Sequence, residues 1–358
     1  MNFKSLITYC LTIVFLLVGC SSKTPAPREV VAREFDFLVV GEEQTPEQKV
    51  MLGELFASTE KNEKTDEELA QTFALFFKDF TYKITGSSAK DGQATVDVDL
   101  TTIDANLLAK DFVSQSIIKQ IQGLASPSSV TYSSNDYYHS LYTLLSENEY
   151  PTKESTCTIN LVENEDEWQI APQQNLEDAL TGGFVSAVSD PNLFTPEEIA
   201  IIYLGTIKEF DKEQMSQFLA LDSLSSADDE YKREFSQALT EQILKCFSYQ
   251  IKNSTSNGDT ATVTADITSY DANSIINNFT EQMATYTATS QSLEDGIGGR
   301  MTKANQVLLD CINQNTASTT TEITLHLTND GTIWELNMDE ALVQAILGDI
   351  QGALGNAS

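Results

Sequence analysis

"TTIDAN" (residues 101–106) returns as "TSYDAN" (268–273). Whether Asp-Ala-Asn is a polar site used twice or the joint of a fold unit present twice decides how the chain is organised. The echo widens without a gap. "FTYKITGSSAKDGQATVDVDLTTIDANLLAKDF" (80–112) lies over "FSYQIKNSTSNGDTATVTADITSYDANSIINNF" (247–279) at an offset of 167, with 13 of 33 residues identical. A second pair, "CTINLVENEDEWQI" (157–170) over "ITLHLTNDGTIWEL" (323–336), has an offset of 166 and matches Trp168 to Trp334, the two tryptophans of the protein. Anchors that agree within one residue mark an internal repeat.

The local patterns give each copy its elements. Phe80, Tyr82 and Ile84 alternate with polar residues, as do Val96, Val98 and Leu100. Period 2 with β-branched and aromatic residues predicts half-buried strands. Asp91-Gly92 and Asn257-Gly258 supply hairpin turn chemistry between them. Ile159, Leu161, Trp168 and Ile170 predict a second hairpin, and Leu325, Leu327, Trp334 and Leu336 its duplicate. "FTPEEIAIIYLGTIKEF" (194–210) predicts a helix with Thr195 as N-cap, Pro196 at N1, Glu198 at N3 and a Phe194/Ile199 staple. Tyr231, Phe235, Ala238, Leu239 and Ile243 mark another helical stripe. "VVAREFDFLVV" (30–40) carries strand-like β-branching, but the repeat register lays it over 197–207 and predicts a helix. Asp104 and Asp271 each stand between a strand and an amphipathic run, where a carboxylate accepts from the free N–H groups of a helix start. A duplicated polar site is the alternative.

The chain has 358 residues, which suggests about two domains, and 41% are hydrophobic. Seventeen Phe and twelve Tyr provide for real cores. Lys and Arg number 21 against 53 Asp and Glu, a net charge of −32. Such a surface repels phosphate backbones and anionic lipid, so no nucleic-acid partner is expected.

The N-terminus reads "MNFKSLITYCLTIVFLLVGCSSK". Lys4 precedes a mostly apolar run, Leu6 to Val18, shorter than the ~20 residues a stable membrane span needs. Leu17-Val18-Gly19-Cys20 resembles the bacterial lipoprotein box. That resemblance implies a signal peptide over 1–19 and a diacylglycerol on the Cys20 sulfur, with palmitate as a label for it. Two buried acyl chains at about 0.8 kcal/mol per CH₂ hold a protein stably on a membrane. Residues 20–29 then read as an extended tether with Pro25 and Pro27. Beyond Cys20 three cysteines remain, Cys157, Cys246 and Cys311, as buried small hydrophobes or with a Cys246–Cys311 disulfide.

The expected fold class is α+β: two tandem repeats, each an antiparallel sheet curved over helices. The first repeat spans 30–181, a linker 182–194, and the second repeat 195–354. The element order resembles the cystatin-like or nuclear-transport-factor-2-like roll. Strands such as "ATVTADITSYD" and "GTIWEL" look like the uncharacterised lipoprotein domains of Gram-positive bacteria, a family of unknown function that implies no catalytic residues.

A search for chemistry finds little. The two histidines, His139 and His326, occupy different places in the repeat, so neither a triad nor a zinc site is supported. "DGIGGR" (295–300) lacks a preceding strand and reads as a loop. The acid clusters "ENEDE" (163–167) and "DDE" (228–230) do not match a calcium loop. Asp97 shares a strand face with Asp99 but becomes Thr264 in the second copy. Tyr82, Trp168, Tyr249 and Trp334 are candidates for either a pocket or the core. No cofactor, metal site or catalytic residue is assigned. The expectation is a non-enzymatic, lipid-anchored protein on the extracytoplasmic face of the cell membrane, binding an unknown protein or small ligand. A structural or sensor component of an envelope complex, or an enzyme using a roll cavity, are the alternatives.

Overall fold

A computed structural model describes residues 25–39, 63–126, 134–165, 167–173, 175–221 and 230–348. The signal segment, Cys20 and most of "DDE" lie outside them. The described residues fall into two compact units, one within 1–116 and 131–193, the other within 117–130 and 194–358.

The first set of elements runs α1 (Pro27–Asp36), α2 (Glu63–Phe76), β1 (Thr81–Lys90), β2 (Gln93–Ile103), α3 (Ala105–Leu124), α4 (Ser134–Glu147), β3 (Thr152–Asn164), β4 (Glu167–Ile170), α5 (Leu176–Leu180) and α6 (Phe184–Val188). The second runs α7 (Pro196–Lys208), α8 (Lys212–Phe218), α9 (Glu230–Cys246), β5 (Ser248–Asn257), β6 (Thr260–Tyr270), α10 (Ala272–Thr287), α11 (Gln291–Glu294), α12 (Gly296–Gln314), β7 (Ser318–Asn329), β8 (Trp334–Asn337) and α13 (Glu340–Ile346). Each set holds one four-stranded antiparallel meander, β1-β2-β3-β4 and β5-β6-β7-β8. The α+β class and the two hairpins per copy are as the alternation predicts.

Strand periodicity builds the cores. Ala94, Val96, Val98 and Leu100 are buried on β2, while Gln93, Thr95, Asp97 and Asp99 between them are exposed. Ala94 and Val96 pair with Leu161 and Ile159 of β3, also buried. Helix α1 closes this face with Val30, Val31 and Phe35. The Phe35 ring meets Phe80 and Tyr82 edge-on at 6.2 and 5.4 Å, the arrangement aromatic quadrupoles favour. In the second unit Ala261, Val263, Ala265 and Ile267 of β6 take the same places, and Ile199, Ala200, Leu204 and Ile207 of α7 are buried. Burying each such aliphatic or aromatic side chain contributes about 1.5–3 kcal/mol.

Beyond "DGIGGR" (295–300), read as a loop but forming the start of α12 from Gly296, three expectations are corrected. The helix at 27–36 exists, but its register is shifted. Thr195 caps α7 through a reciprocal pair, Glu198 N–H to Thr195 Oγ1 at 3.2 Å and Thr195 N–H to Glu198 Oε2 at 2.8 Å. Ala26 N–H donates to Glu29 Oε2 at 3.0 Å in the same way, with Pro27 at N1. Ala26-Pro27 therefore matches Thr195-Pro196, an offset of 169 rather than 167. Helices tolerate a two-residue difference because the connections between helix and strand absorb it. It follows that Pro27, Arg28 and Glu29 are helix, not tether. Second, the segment read as a linker contains α6. Its Phe184 is 3% exposed and packs against Phe76 and Phe112. Third, the second hairpin turns on Gly258-Asp259, not Asn257-Gly258, because Asn257 pairs with Thr260. Gly258 carries the positive φ of +63° at the first turn position, whereas Asp91 and Gly92 both have positive φ in the first copy. One two-residue loop is thus built with two turn types, leaving the strand register intact.

The closing helix of each unit ends on a glycine in the left-handed region, Gly182 (φ +60°) after α5 and Gly348 (φ +68°) after α13. Both press on the last residue of the second strand. A Cβ on Gly182 would overlap the Ile103 carbonyl oxygen; one on Gly348 would lie 2.5 Å from the Tyr270 carbonyl oxygen. Gly258 has the same left-handed φ but open space around it. Gly258→Ala should cost about 1 kcal/mol of stability, the strain of a non-glycine residue there. Gly182→Ala should cost at least about 3 kcal/mol, because the clash is with backbone. Urea denaturation of the two variants checks this, and equal losses would contradict it.

Candidate functional site

The repeated Asp-Ala-Asn is a joint. Asp271 Oδ1 accepts from Ser274 N–H at 3.3 Å and caps α10. Ala272 is buried, and Asn273 faces solvent. The Asp271 backbone N–H donates to Ala317 O, just before β7, at 3.0 Å. In the first copy Asp104 N–H donates to Pro151 O, just before β3, at 2.7 Å. Ala105 is buried and Asn106 exposed in the same way. The carboxylates differ. Asp104 Oδ1 receives Asn106 N–H at a long 3.5 Å and lies 3.9 Å from Lys153 Nζ. The repeat puts Thr319 in the place of Lys153, so no cation draws Asp271 from its cap.

The four aromatic candidates line the core side of the sheets. Tyr82 is half-buried; its hydroxyl donates to Asp36 Oδ1 at 2.6 Å and lies 3.0 Å from Ala32 O. Burial first, then the Asp36 carboxylate, push its pKa up to about 12. Tyr249 sends its hydroxyl to Ile201 O of α7 at 3.3 Å, and burial raises its pKa. The offset of Ala32 to Ile201 is again 169. Where α1 has Asp36, α7 has Gly205, and a Cβ there would approach the Tyr249 hydroxyl to 3.2 Å. Trp168 and Trp334 take equal register positions, opposite Glu163 and Asn329. Trp334 is 5% exposed, whereas Trp168 is half-buried against the first core. These side chains fasten helix to sheet.

The sheet faces away from the core are polar. On β6 this face carries Thr260, Thr262, Thr264, Asp266 and Thr268, and on β7 Thr320, Glu322, Thr324, His326 and Thr328. Hydroxyls pair across strands, Thr255 with Thr262 and Thr268 with Thr320, each at 2.8 Å. Lys252, at the β5 bulge, bridges Asp266 and Glu322 at 2.7 and 2.8 Å. Near the hairpin end lies an open depression of about 430 Å³, lined by Thr255, Asn257, Thr262, His326, Thr328 and Asn337 among others. Its polar lining is hydroxyl and amide with one imidazole, interleaved with Ala261 and Leu327, a surface that hydrogen-bonds a polar ligand without selecting for charge. Sequence reasoning placed His326 on this face but not the depression, because that needs the register of four strands.

Other candidates are dispersed. His139 Nδ1 lies 3.4 Å from Glu68 Oε2. Asp97 Oδ1 accepts from Thr158 Oγ1 at 2.7 Å. Cys157, Cys246 and Cys311 are free thiols, so the Cys246–Cys311 pairing is not made. Burial, then Asp97, push the Cys157 thiol up to about 11, keeping it protonated at neutral pH. Among the described residues no group of three or more His, Cys, Asp or Glu is arranged to hold a metal ion. Among them, too, no helix is long and apolar enough to cross a membrane.

A family model described as a domain of unknown function (DUF5105) matches residues 205–348, from within α7 to the glycine after α13. No curated protein matches. Among solved structures, a Bacillus subtilis chain described as a candidate lipoprotein (ycdA) is similar at 16% identity, over 75% of this chain and 94% of that one, with a TM-score of 0.27.

If Asp-Ala-Asn is a joint, its loss reads out as stability. Asp271→Ala should destabilise the second unit by about 1 kcal/mol. Asp104→Ala should cost less, and Asn273→Ala close to nothing. Each unit carries one tryptophan, so urea titrations followed by indole fluorescence locate the effect. A cost at Asn273 matching that at Asp271 would contradict the capping role.

Proposed function

We propose that the chain is a lipid-anchored, non-catalytic interaction protein on the extracytoplasmic face of a cell membrane. The observation that carries this reading is Leu17-Val18-Gly19-Cys20 behind a short apolar run. An aliphatic residue, two further aliphatic or small residues and a thiol suit acylation of the sulfur followed by cleavage before it. Two acyl chains supply the lasting attachment that one does not. The family model that matches residues 205–348 is of unknown function and specifies no ligand.

The units support the interaction half of the reading. Their core-facing sheet sides are filled with aliphatic and aromatic side chains, leaving the opposite faces to meet a partner. The depression beside His326 offers hydroxyl and amide donors and acceptors to a polar, uncharged ligand group.

Two measurements test the two halves. Cys20→Ala should abolish labelling by radioactive palmitate and leave uncleaved precursor; continued labelling refutes the anchor. A photocrosslinking residue replacing Thr262 should yield a discrete adduct in whole cells, absent when it replaces exposed Glu281 on α10. An adduct that persists whatever is added to the medium identifies a constant envelope partner. Equal, diffuse crosslinking from both positions would overturn the assignment of the face.

A further inference from the structure

Three of the most exposed apolar side chains of the described residues stand together. Leu293 on α11 and Ile297 and Met301 on α12 are 78%, 80% and 67% exposed. Ile297 and Met301, four residues apart, share one face of α12, and Leu293 stands on α11 just before the left-handed Gly296 (φ +61°) at which α12 begins. The junction between the two helices is ordered. Asp295 accepts from Tyr286 Oη at 2.6 Å and from Gln291 Nε2 at 2.7 Å, and Ser292 Oγ donates to Thr287 O at 3.1 Å. The stripe is thus held out by a hydrogen-bonded frame, not left over by a frayed end. No counterpart of this exposed trio is described on the first unit.

We infer that this stripe is a second membrane-docking face, which lays its three apolar side chains into the interfacial region of the bilayer that holds the anchor. The inference rests on the lipid-anchor reading of Cys20. Two observations favour a lipid surface as the occupant. The first is charge. Residues 282–309 carry two acids, Glu294 and Asp295, and two bases, Arg300 and Lys303, so they sum to zero in a chain of −32. Asp295 is engaged by Tyr286 and Gln291, while Arg300 and Lys303 are exposed on the same helix as the stripe. Elsewhere the surface repels lipid phosphates; here two cations stand where headgroup phosphates would lie, beside apolar side chains that would sit among acyl chains. The second is tether length. From Cys20 to Pro27, where α1 begins, seven residues span at most about 25 Å. The anchor therefore keeps the folded chain beside the bilayer at high effective concentration, so a contact too weak to hold a free protein is still populated. A second copy is a poorer occupant, because it brings another −32 with it.

The test uses the lipidated full chain reconstituted into vesicles of phosphatidylethanolamine and phosphatidylglycerol at 7:3. A dansyl amino acid replaces Ile297 in one sample and Thr324, on the polar sheet face, in another. The probe at 297 should shift to the blue and lose several-fold intensity to acyl-brominated lipid, and the probe at 324 should do neither. A probe at 297 as wet in vesicles as in detergent-free solution overturns the inference. So does a blue shift without vesicles accompanied by a doubled mass, which would mean a second copy covers the stripe. Palmitate labelling of the same preparations reports the anchor independently. Brominated-lipid quenching at 297 in an unlabelled chain would support the docking face while refuting Cys20 as the anchor.

Discussion

The fold of each unit depends on one crowded junction at the end of its second strand. There the strand stops, a long helix starts, the third strand begins and the closing helix ends, all within one or two residues. The carbonyl of the strand's last residue meets a glycine with no side chain, Ile103 with Gly182 and Tyr270 with Gly348. The next residue is the capping Asp, whose own N–H is tied to the residue before the third strand. Backbone meets backbone on every side, so the residues there are selected by space and by hydrogen-bond accounting. Asp satisfies the helix start, Ala fits beneath it, and glycine lets the last helix approach. The junction joins segments about 80 residues apart, which holds helices and sheet in one unit.

The same junction retains traces of its divergence. Thr102 and Ser269 occupy matching, buried positions one residue before the strand ends. Ser269 Oγ donates to Ile346 O at 2.6 Å. Among the described residues Thr102 Oγ1 finds no partner, and neither does the buried Tyr270 hydroxyl that replaces Ile103. Each copy thus leaves one hydroxyl unsatisfied, a cost of about 1–3 kcal/mol, and compensates within the surrounding packing.

Much of this was legible in sequence, and for a physical reason. Strand alternation and turn residues are local signals, and duplication let each be read twice. Where the repeat was misread, the constraint is loose. A helix can start two residues early without disturbing the sheet, so Ala26-Pro27-Arg28-Glu29 went unmatched to Thr195-Pro196-Glu197-Glu198, although Pro at N1 and Glu at N3 recur in both. The pairing of Gly182 with Gly348 was not legible, because the reason for either glycine is a carbonyl about 80 residues away. The offset of 166 that matches the tryptophans also matches Leu180-Thr181-Gly182 to Ile346-Leu347-Gly348, and would have exposed the pair. The polar depression has no sequence signal: its residues come from four strands and belong together only once the register is known.

Duplication also shows where the two units are free to differ. The skeleton positions keep their type: the strand tyrosine bonded to the first helix, the indole at the start of the fourth strand, the capping Asp, the closing glycine. Among the positions that change are polar ones that face outward. On the first sheet Asp97 and Asp99 stand exposed, with Glu154 on the next strand. On the second, Asp97 has become Thr264, and the partner of Asp99 is Asp266, bridged by Lys252 together with Glu322. One outer face thus presents Asp97, Asp99 and Glu154 with Lys83 opposite Asp99, and the other presents hydroxyls with its acids bridged by Lys252. A surface kept only for solubility would be under no constraint to neutralise two carboxylates in a chain that already carries an excess of 32. The bridge spans three strands and occupies both acids, so it ties β5, β6 and β7 together across the outer face of the second sheet.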